Sequence, residues 1–196
     1  MLFAGQIHTI KGFTYFVKAL VRFEMVVTSI YAIFLCWQSG PYYYQIREGE
    51  LSFRAGDYSN AEQHLLKALH LSDRLPESDV RRIRAVNNLA ELYRSTRRLS
   101  EAEYYSSIAL AYAQKYLAEK AEYVNCINNL AVIYRDRGEY TSSQALFDQA
   151  LALAARPQYQ SYSSQLPVLY TNQGKLFYLT GKYREARVFL NMAMEE

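Results

Sequence analysis

The chain has 196 residues, of which 51% are hydrophobic and 21% charged, with a formal net charge of +3. These proportions belong to a folded globular chain and exclude wholesale disorder. A charge of +3 with no basic run denser than Arg81-Arg82-Ile83-Arg84 gives no argument for a nucleic-acid partner, and none is expected.

Eight glycines and four prolines, set among abundant Ala, Leu, Glu, Arg and Tyr, favour an all-helical protein over strands joined by turns. Cys36 and Cys126 lie far apart in apolar surroundings, without CxxC spacing or a Cys/His set. Neither a zinc site nor a disulfide framework is indicated, and Cys126 reads as a buried thiol.

Taken from the N-terminus, residues 25–37 (MVVTSIYAIFLCW) carry no charge and come after Lys11, Lys18 and Arg22. The run is shorter than the roughly 20 residues of a membrane helix, and extending it back to residue 15 takes in Lys18, Arg22 and Glu24. A small-x-small cleavage site is missing. Three readings stay open for residues 1–41: an uncleaved anchor with Trp37 and the tyrosines at 42–44 at the interface, an apolar helix packed on the start of the helices after residue 41, or a leader before Met25. Membrane association would run through residues 15–37, which leaves localisation between cytoplasmic and membrane-anchored.

From residue 42 onward the chain repeats itself. NNLAELYR at 87–94 returns as NNLAVIYR at 128–135, and Ala61, Ala102, Ser143 and Ala186 stand 41, 41 and 43 residues apart. Val86, Leu89, Ala90 and Tyr93 recur at i, i+3, i+4, i+7, which lays one apolar stripe along a helix. Ile127, Leu130, Ala131 and Tyr134 repeat it, as do Tyr170, Gly174 and Phe177 in part. Gly56-Asp57-Tyr58, Gly138-Glu139-Tyr140 and Gly181-Lys182-Tyr183 mark turns where glycine supplies a positive φ and the tyrosine packs into the angle between helices. The second unit has Arg97-Arg98-Leu99 and must turn without glycine. Second helices come next, with Ala61, Leu65 and Ala68, then Ala102, Ile108 and Ala109, then Leu146, Ala150 and Leu151, then Ala186, Leu190 and Ala193.

Paired helices with a Gly/Ala in the first, an aromatic three residues on, a Gly-x-Tyr-x-x-Ala turn and a late Ala resemble tetratricopeptide repeats. The family's common period is about 34 residues, and the longer period here with NNLA..YR is similar to the kinesin-light-chain subclass. The resemblance implies an all-α, right-handed α-α superhelix of four helical hairpins over residues 42–196, with units of about 42–78, 79–117, 118–158 and 159–196, and a separate apolar N-terminal helix. Gln45, Glu48 and Ser52 replace apolar residues in the first unit, as a polar cap would. The last unit carries Phe189, Leu190, Met192 and Met194 in a short final helix, which suggests self-association through it.

No phosphate loop, HExxH, GxSxG or calcium loop is present, so no enzyme activity and no cofactor is expected. His64 and His70 fall on different helical faces, which argues against shared metal ligation.

If first helices line the concave side, as the resemblance implies, the groove position holds Arg47, Asn88, Asn129 and Asn172. Beside it stand Asn87, Asn128, Glu91, Lys175, Arg94, Arg135 and Arg84. Asparagine is a mediocre helix former whose amide both donates and accepts, which suits an extended peptide backbone. The resemblance implies that Asn88, Asn129 and Asn172 bind it, and Arg47, Arg84, Arg94 and Arg135 offer bidentate geometry to acidic groups or a terminal carboxylate. The competing reading has the asparagines bonding neighbouring helices to hold repeat spacing, with the arginines solvating the face. The partner is accordingly another protein, offering a peptide or helix to the groove. The rival is a structural subunit associating end to end.

Overall fold

A computed structural model describes residues 40–76, 79–118, 120–156 and 165–195. The apolar run at 25–37 lies outside them, and with it the choice between anchor, packed helix and leader. Among the described residues no helix is long and apolar enough to cross a membrane.

The chain divides into two compact units, Met1–Tyr44 and Gln45–Glu196. In the first, residues 40–44 are helical, and Tyr42 is buried with its ring edge-on to Tyr43 at 5.3 Å. The second unit begins with a helix over 45–54, here α1. After it come α2 (Tyr58–Ser72), α3 (Val80–Ser95), α4 (Leu99–Tyr116), α5 (Ala121–Arg137), α6 (Tyr140–Ala154), α7 (Leu166–Leu179) and α8 (Tyr183–Glu195). The most extensive contacts join α3 to α4, α5 to α6 and α7 to α8, and each pair also packs on the next through α2 to α3, α4 to α5 and α6 to α7. First helices touch one another as well, α3 to α5 and α5 to α7. The described residues thus form a stacked series of antiparallel hairpins, as the repeat period requires.

Local signals start and stop these helices. Asp57 caps α2 by accepting from the Asn60 backbone N–H at 3.1 Å, and Asp79 caps α3 by accepting from the Arg81 N–H at 2.9 Å. The Arg81 side chain also holds the Asp79 carboxyl below its usual range. Gly56, Gly138 and Gly181 take φ of 78°, 82° and 76° at the hairpin turns. At the second turn Arg97 itself takes φ 63°. A left-handed conformation costs a residue with a Cβ about 1–2 kcal/mol, part of which glycine gives back as unfolded-chain entropy. Arg97→Gly is therefore expected to stabilise the protein by about 0.5–1 kcal/mol, read from the urea midpoint at unchanged slope.

The turn tyrosines sit differently from the expectation. Tyr58, Tyr140 and Tyr183 stay exposed, with Tyr58 tilted on Phe53 and Tyr183 edge-on to Tyr178. As first residues of second helices they project past the hairpin angle instead of into it.

The densest core lies where α5, α6 and α7 meet. Val124, Ile127, Ala131, Phe147, Ala150, Leu169 and Leu176 are buried there together. A second cluster, with Ile83, Val86, Ala109, Ala113, Leu117 and Cys126, joins α3, α4 and α5. Burial pushes the Cys126 thiol up to about 11, so it stays protonated at neutral pH.

In the hairpins α1–α2 and α7–α8 a glycine of the first helix faces the second helix. A Cβ on Gly49 would come within 2.8 Å of Leu65 Cδ2, and one on Gly174 within 2.9 Å of Leu190 Cγ. Leu65 and Leu190 each stand four residues after the aligned alanine of their helix, and Phe147 stands four after Ser143. The same position in α4 is Ser106, fully buried like Phe147 but far smaller.

Candidate functional site

Three first helices in succession, α3, α5 and α7, present a concavity of about 280 Å³ on their shared face. Its apolar lining comes from Ala90, Val132, Ile133 and Val168, and Ser106 of α4 reaches it from beneath. The i, i+3, i+4 stripes that build the core turn Leu89, Leu130 and Leu169 inward, so their polar neighbours are left on this side.

Of the residues the sequence nominated, Asn87, Glu91, Arg94, Asn128, Asn129, Arg135, Asn172 and Lys175 are brought together as lining. Arg47, Arg84 and Asn88 are not among the lining residues. Arg47 and Arg84 are exposed. Asn88 instead donates from Nδ2 to Glu50 Oε1 at 3.2 Å, joining α3 to α1.

Asparagine amides also link the later helices. Asn172 Nδ2 donates to Asn128 Oδ1 at 3.1 Å, and Asn87 Nδ2 reaches Cys126 Sγ at 3.7 Å, a weak contact. Asn128 is buried by this arrangement. Among these asparagines Asn129 is half-buried and makes no side-chain hydrogen bond to the described residues. Both readings of the repeated asparagine thus have residues here: Asn88 and the Asn172–Asn128 pair span neighbouring helices, while Asn129 is left available.

The arginines are organised by one carboxylate, Asp136, which its position beside Arg135 in sequence already marks as offsetting them. It accepts from Arg94 Nη1 at 2.8 Å, and from Arg135 Nη2 at 2.9 Å and Nε at 3.1 Å. Arg94 is further clamped by Glu91, which takes its Nε at 2.9 Å and Nη2 at 2.7 Å. These hydrogen bonds, Glu91 first, raise the Arg94 pKa further above its ordinary value, so it is charged at every relevant pH. Arg135 has only 9% of its side chain exposed. Lys175 is exposed and makes no ion pair among the described residues.

Similar cross-links run elsewhere between hairpins. Tyr93 Oη donates to Glu62 at 2.7 Å, Arg98 pairs with the same Glu62 at 2.8 Å, and Arg137 pairs with Glu103. Burial, with Glu62 adding to it, raises the Tyr93 phenol above its ordinary value.

Residues 123–195 match the family model described as Tetratricopeptide repeat. Over that segment the chain is similar to tetratricopeptide repeats. Among solved structures, the chain is similar to BtubC (BKLC) from P. vanneervenii, at 25% identity and a TM-score of 0.64, over 75% of this chain and 59% of that one. It is also similar to the nearly identical TPR-like repeats of a kinesin-light-chain candidate from Podosopora anserina, at 17% identity and a TM-score of 0.62, covering 79% and 73%. A third is the Rap conjugation gene regulator of the plasmid pLS20, in complex with the Phr* peptide, at 17% identity and a TM-score of 0.66, covering 79% and 42%. The chain therefore spans 59% of the length of BtubC and 42% of that of the Rap regulator. Among curated proteins none matches. The kinesin-light-chain-like likeness agrees with the 41- to 43-residue period, and the all-helical solenoid is the one the sequence implied.

Ser106, Ile133 and Val168 were not nominated from sequence. Ser106 carried a signal nonetheless: it breaks the series Leu65, Phe147, Leu190 at one aligned position.

Proposed function

We propose that the chain is a non-enzymatic interaction scaffold that holds an extended peptide segment of a partner protein against α3, α5 and α7. The observation that carries this reading is the concavity itself. Hydrogen-bonding side chains with unused capacity, Asn129 and Lys175 foremost, ring an apolar floor of Ala90, Val132 and Ile133 on three consecutive helices. Amides at such spacing supply donors and acceptors to a peptide main chain, and the floor accepts an apolar side chain. The peptide in the Rap regulator complex supports the same class of ligand for this architecture.

The test uses peptides displayed against the full chain. Asn129→Ala with Lys175→Glu is expected to weaken the selected peptides at least tenfold while leaving the melting temperature nearly unchanged, because neither side chain is bonded within the described residues. Peptides held equally well by that double variant would remove the reading.

A second reading, end-to-end association through α8, is favoured by a specific observation. Only Ala186 of that helix is buried, while Val188, Leu190 and Met194 are exposed. Sedimentation of the full chain and of Val188→Asp distinguishes the two, since the groove reading expects identical behaviour.

A further inference from the structure

Each second helix but the last uses one face to hold the hairpin that follows. In α2 that face carries Glu62, which accepts from Tyr93 and Arg98, and Leu69, packed on the α3–α5 cluster. In α4 Glu103 pairs with Arg137, and Leu110 joins the core of α5, α6 and α7. In α6 Phe147 and Leu151 enter that core, and Asp148 accepts from Gln173 of α7 at 2.9 Å. The aligned residues of α8 are Arg187, Leu190, Asn191 and Met194, and all four are exposed.

Charge and symmetry together identify what covers them. Glu62 and Glu103 meet arginines of the next hairpin, whereas Arg187, at the same aligned position, reverses the sign. Arg187 makes no ion pair among the described residues, and neither does Glu195 at the other end of the helix. Arg187 and Glu195 stand four residues either side of Asn191, and Val188 and Met194 three either side. Two copies of α8 laid antiparallel about Asn191 therefore set Arg187 against the second copy's Glu195, Val188 against its Met194, and Asn191 against Asn191. An amide both donates and accepts, so two asparagines on a twofold axis bond each other reciprocally, and one polar pair in an apolar seam fixes its register. A patch that meets a copy of itself requires this self-complementarity.

Shape agrees with charge. Tyr178, Leu179 and Leu190, with Lys175, Arg135 and Asp136, surround a hollow of about 310 Å³. Tyr178 and Leu179 end α7 and so lie next to the start of α8, whereas Met194, 77% exposed, stands near the end of α8. The antiparallel pair brings Met194 of each copy toward the hollow of the other, and an unbranched thioether suits an irregular gap. Head-to-tail packing gives no such match, because the exposed charges of α1 are Arg47 and Arg54, of the same sign as Arg187.

We propose that the chain forms a twofold dimer in which α8 packs antiparallel on α8 of a second copy, centred on Asn191. The inference rests on the second reading above, association through α8, and specifies it: the array closes as a pair and does not propagate. A seam of one short helix per copy falls below the roughly 1,200–2,000 Å² of a stable complex, so the dimer is weak and concentration-dependent.

Sedimentation equilibrium of the full chain over a concentration series is expected to fit a monomer–dimer equilibrium. Arg187→Glu and Glu195→Arg are each expected to weaken the dimer by roughly tenfold or more, since like charges then face each other at both symmetry-related contacts. An equimolar mixture of these two variants is expected to form a heterodimer tighter than either variant alone, because every charged contact across it is again a Glu–Arg pair. Met194→Asp, at a position too exposed to disturb folding, is expected to leave monomer alone. A chain monomeric at every concentration would bring down both this dimer and association through α8. Species larger than the dimer, a mixture no tighter than its components, or association that Val188→Asp disperses while the charge variants and Met194→Asp do not, would overturn the twofold seam and leave association through α8 standing.

Discussion

Phe147→Ala is expected to destabilise the protein by about 3–5 kcal/mol, the largest effect of any single truncation proposed for this chain. Phe147 is fully buried, and the cluster around it draws Val124, Ile127 and Ala131 from α5, Ala150 and Leu153 from α6, and Leu169 and Leu176 from α7. The phenyl ring is shared by two hairpins, so its loss removes the third hairpin's own packing and the interface with the fourth. In a solenoid, stability is approximately a sum of hairpin terms and nearest-neighbour terms. The variant is therefore expected to lose two-state behaviour: a first transition in α5–α8, then a second in the earlier helices. Hydrogen exchange monitored by mass spectrometry checks this directly. A single sharp transition with uniform loss of protection would contradict it.

Asp136→Ala is the second large effect, about 2–4 kcal/mol. One carboxylate neutralises Arg94 from α3 and Arg135 from its own helix, and both the acid and Arg135 are mostly withdrawn from solvent. Removing it strands a guanidinium that has little water to turn to, which costs more than the pair itself contributes. Arg94 keeps Glu91 and is buffered; Arg135 makes no other ion pair among the described residues. The double variant Asp136→Ala with Arg135→Met is expected to recover much of the loss, because the stranded charge leaves with its partner. A urea series on the three proteins measures the coupling, and a double variant no more stable than the single would show that the charge is not the cause.

The architecture was legible in the sequence because a repeat array writes its contacts at short range. Spacings of 41, 41 and 43 residues, apolar stripes at i, i+3, i+4, i+7, and Gly56, Gly138 and Gly181 at the turns are all local signals. Even the exception was readable, since Arg97-Arg98-Leu99 required a non-glycine turn and Arg97 provides it.

The groove was legible only as a face. Asn87, Asn128, Asn129 and Asn172 do gather at one concavity, but sequence could not assign each amide. An amide that donates and accepts satisfies a neighbouring helix as readily as a ligand. Asn88 is tied to Glu50 because α1 offers a carboxylate at that height, and Asn172 to Asn128 because α7 stacks on α5 with two amides in register. Which amide stays available depends on side-chain partners some forty residues distant. Arg135 poses the same problem: its charge was evident, while its burial against Asp136 came from packing. Ser106 was missed because serine on a helix ordinarily signals solvent, and only the comparison with Leu65, Phe147 and Leu190 reveals it as a core position left small.

One consequence of the stacking concerns how the molecule assembles. Helices in this chain touch their sequence neighbours and the helix after next, with no more distant pair in substantial contact among the described residues. Little loop-closure entropy is then lost before a contact forms, and folding is expected to be fast, in the microsecond to millisecond range of low-contact-order proteins. The cluster centred on Phe147 is the natural seed, and the flanking hairpins zip outward from it in either direction.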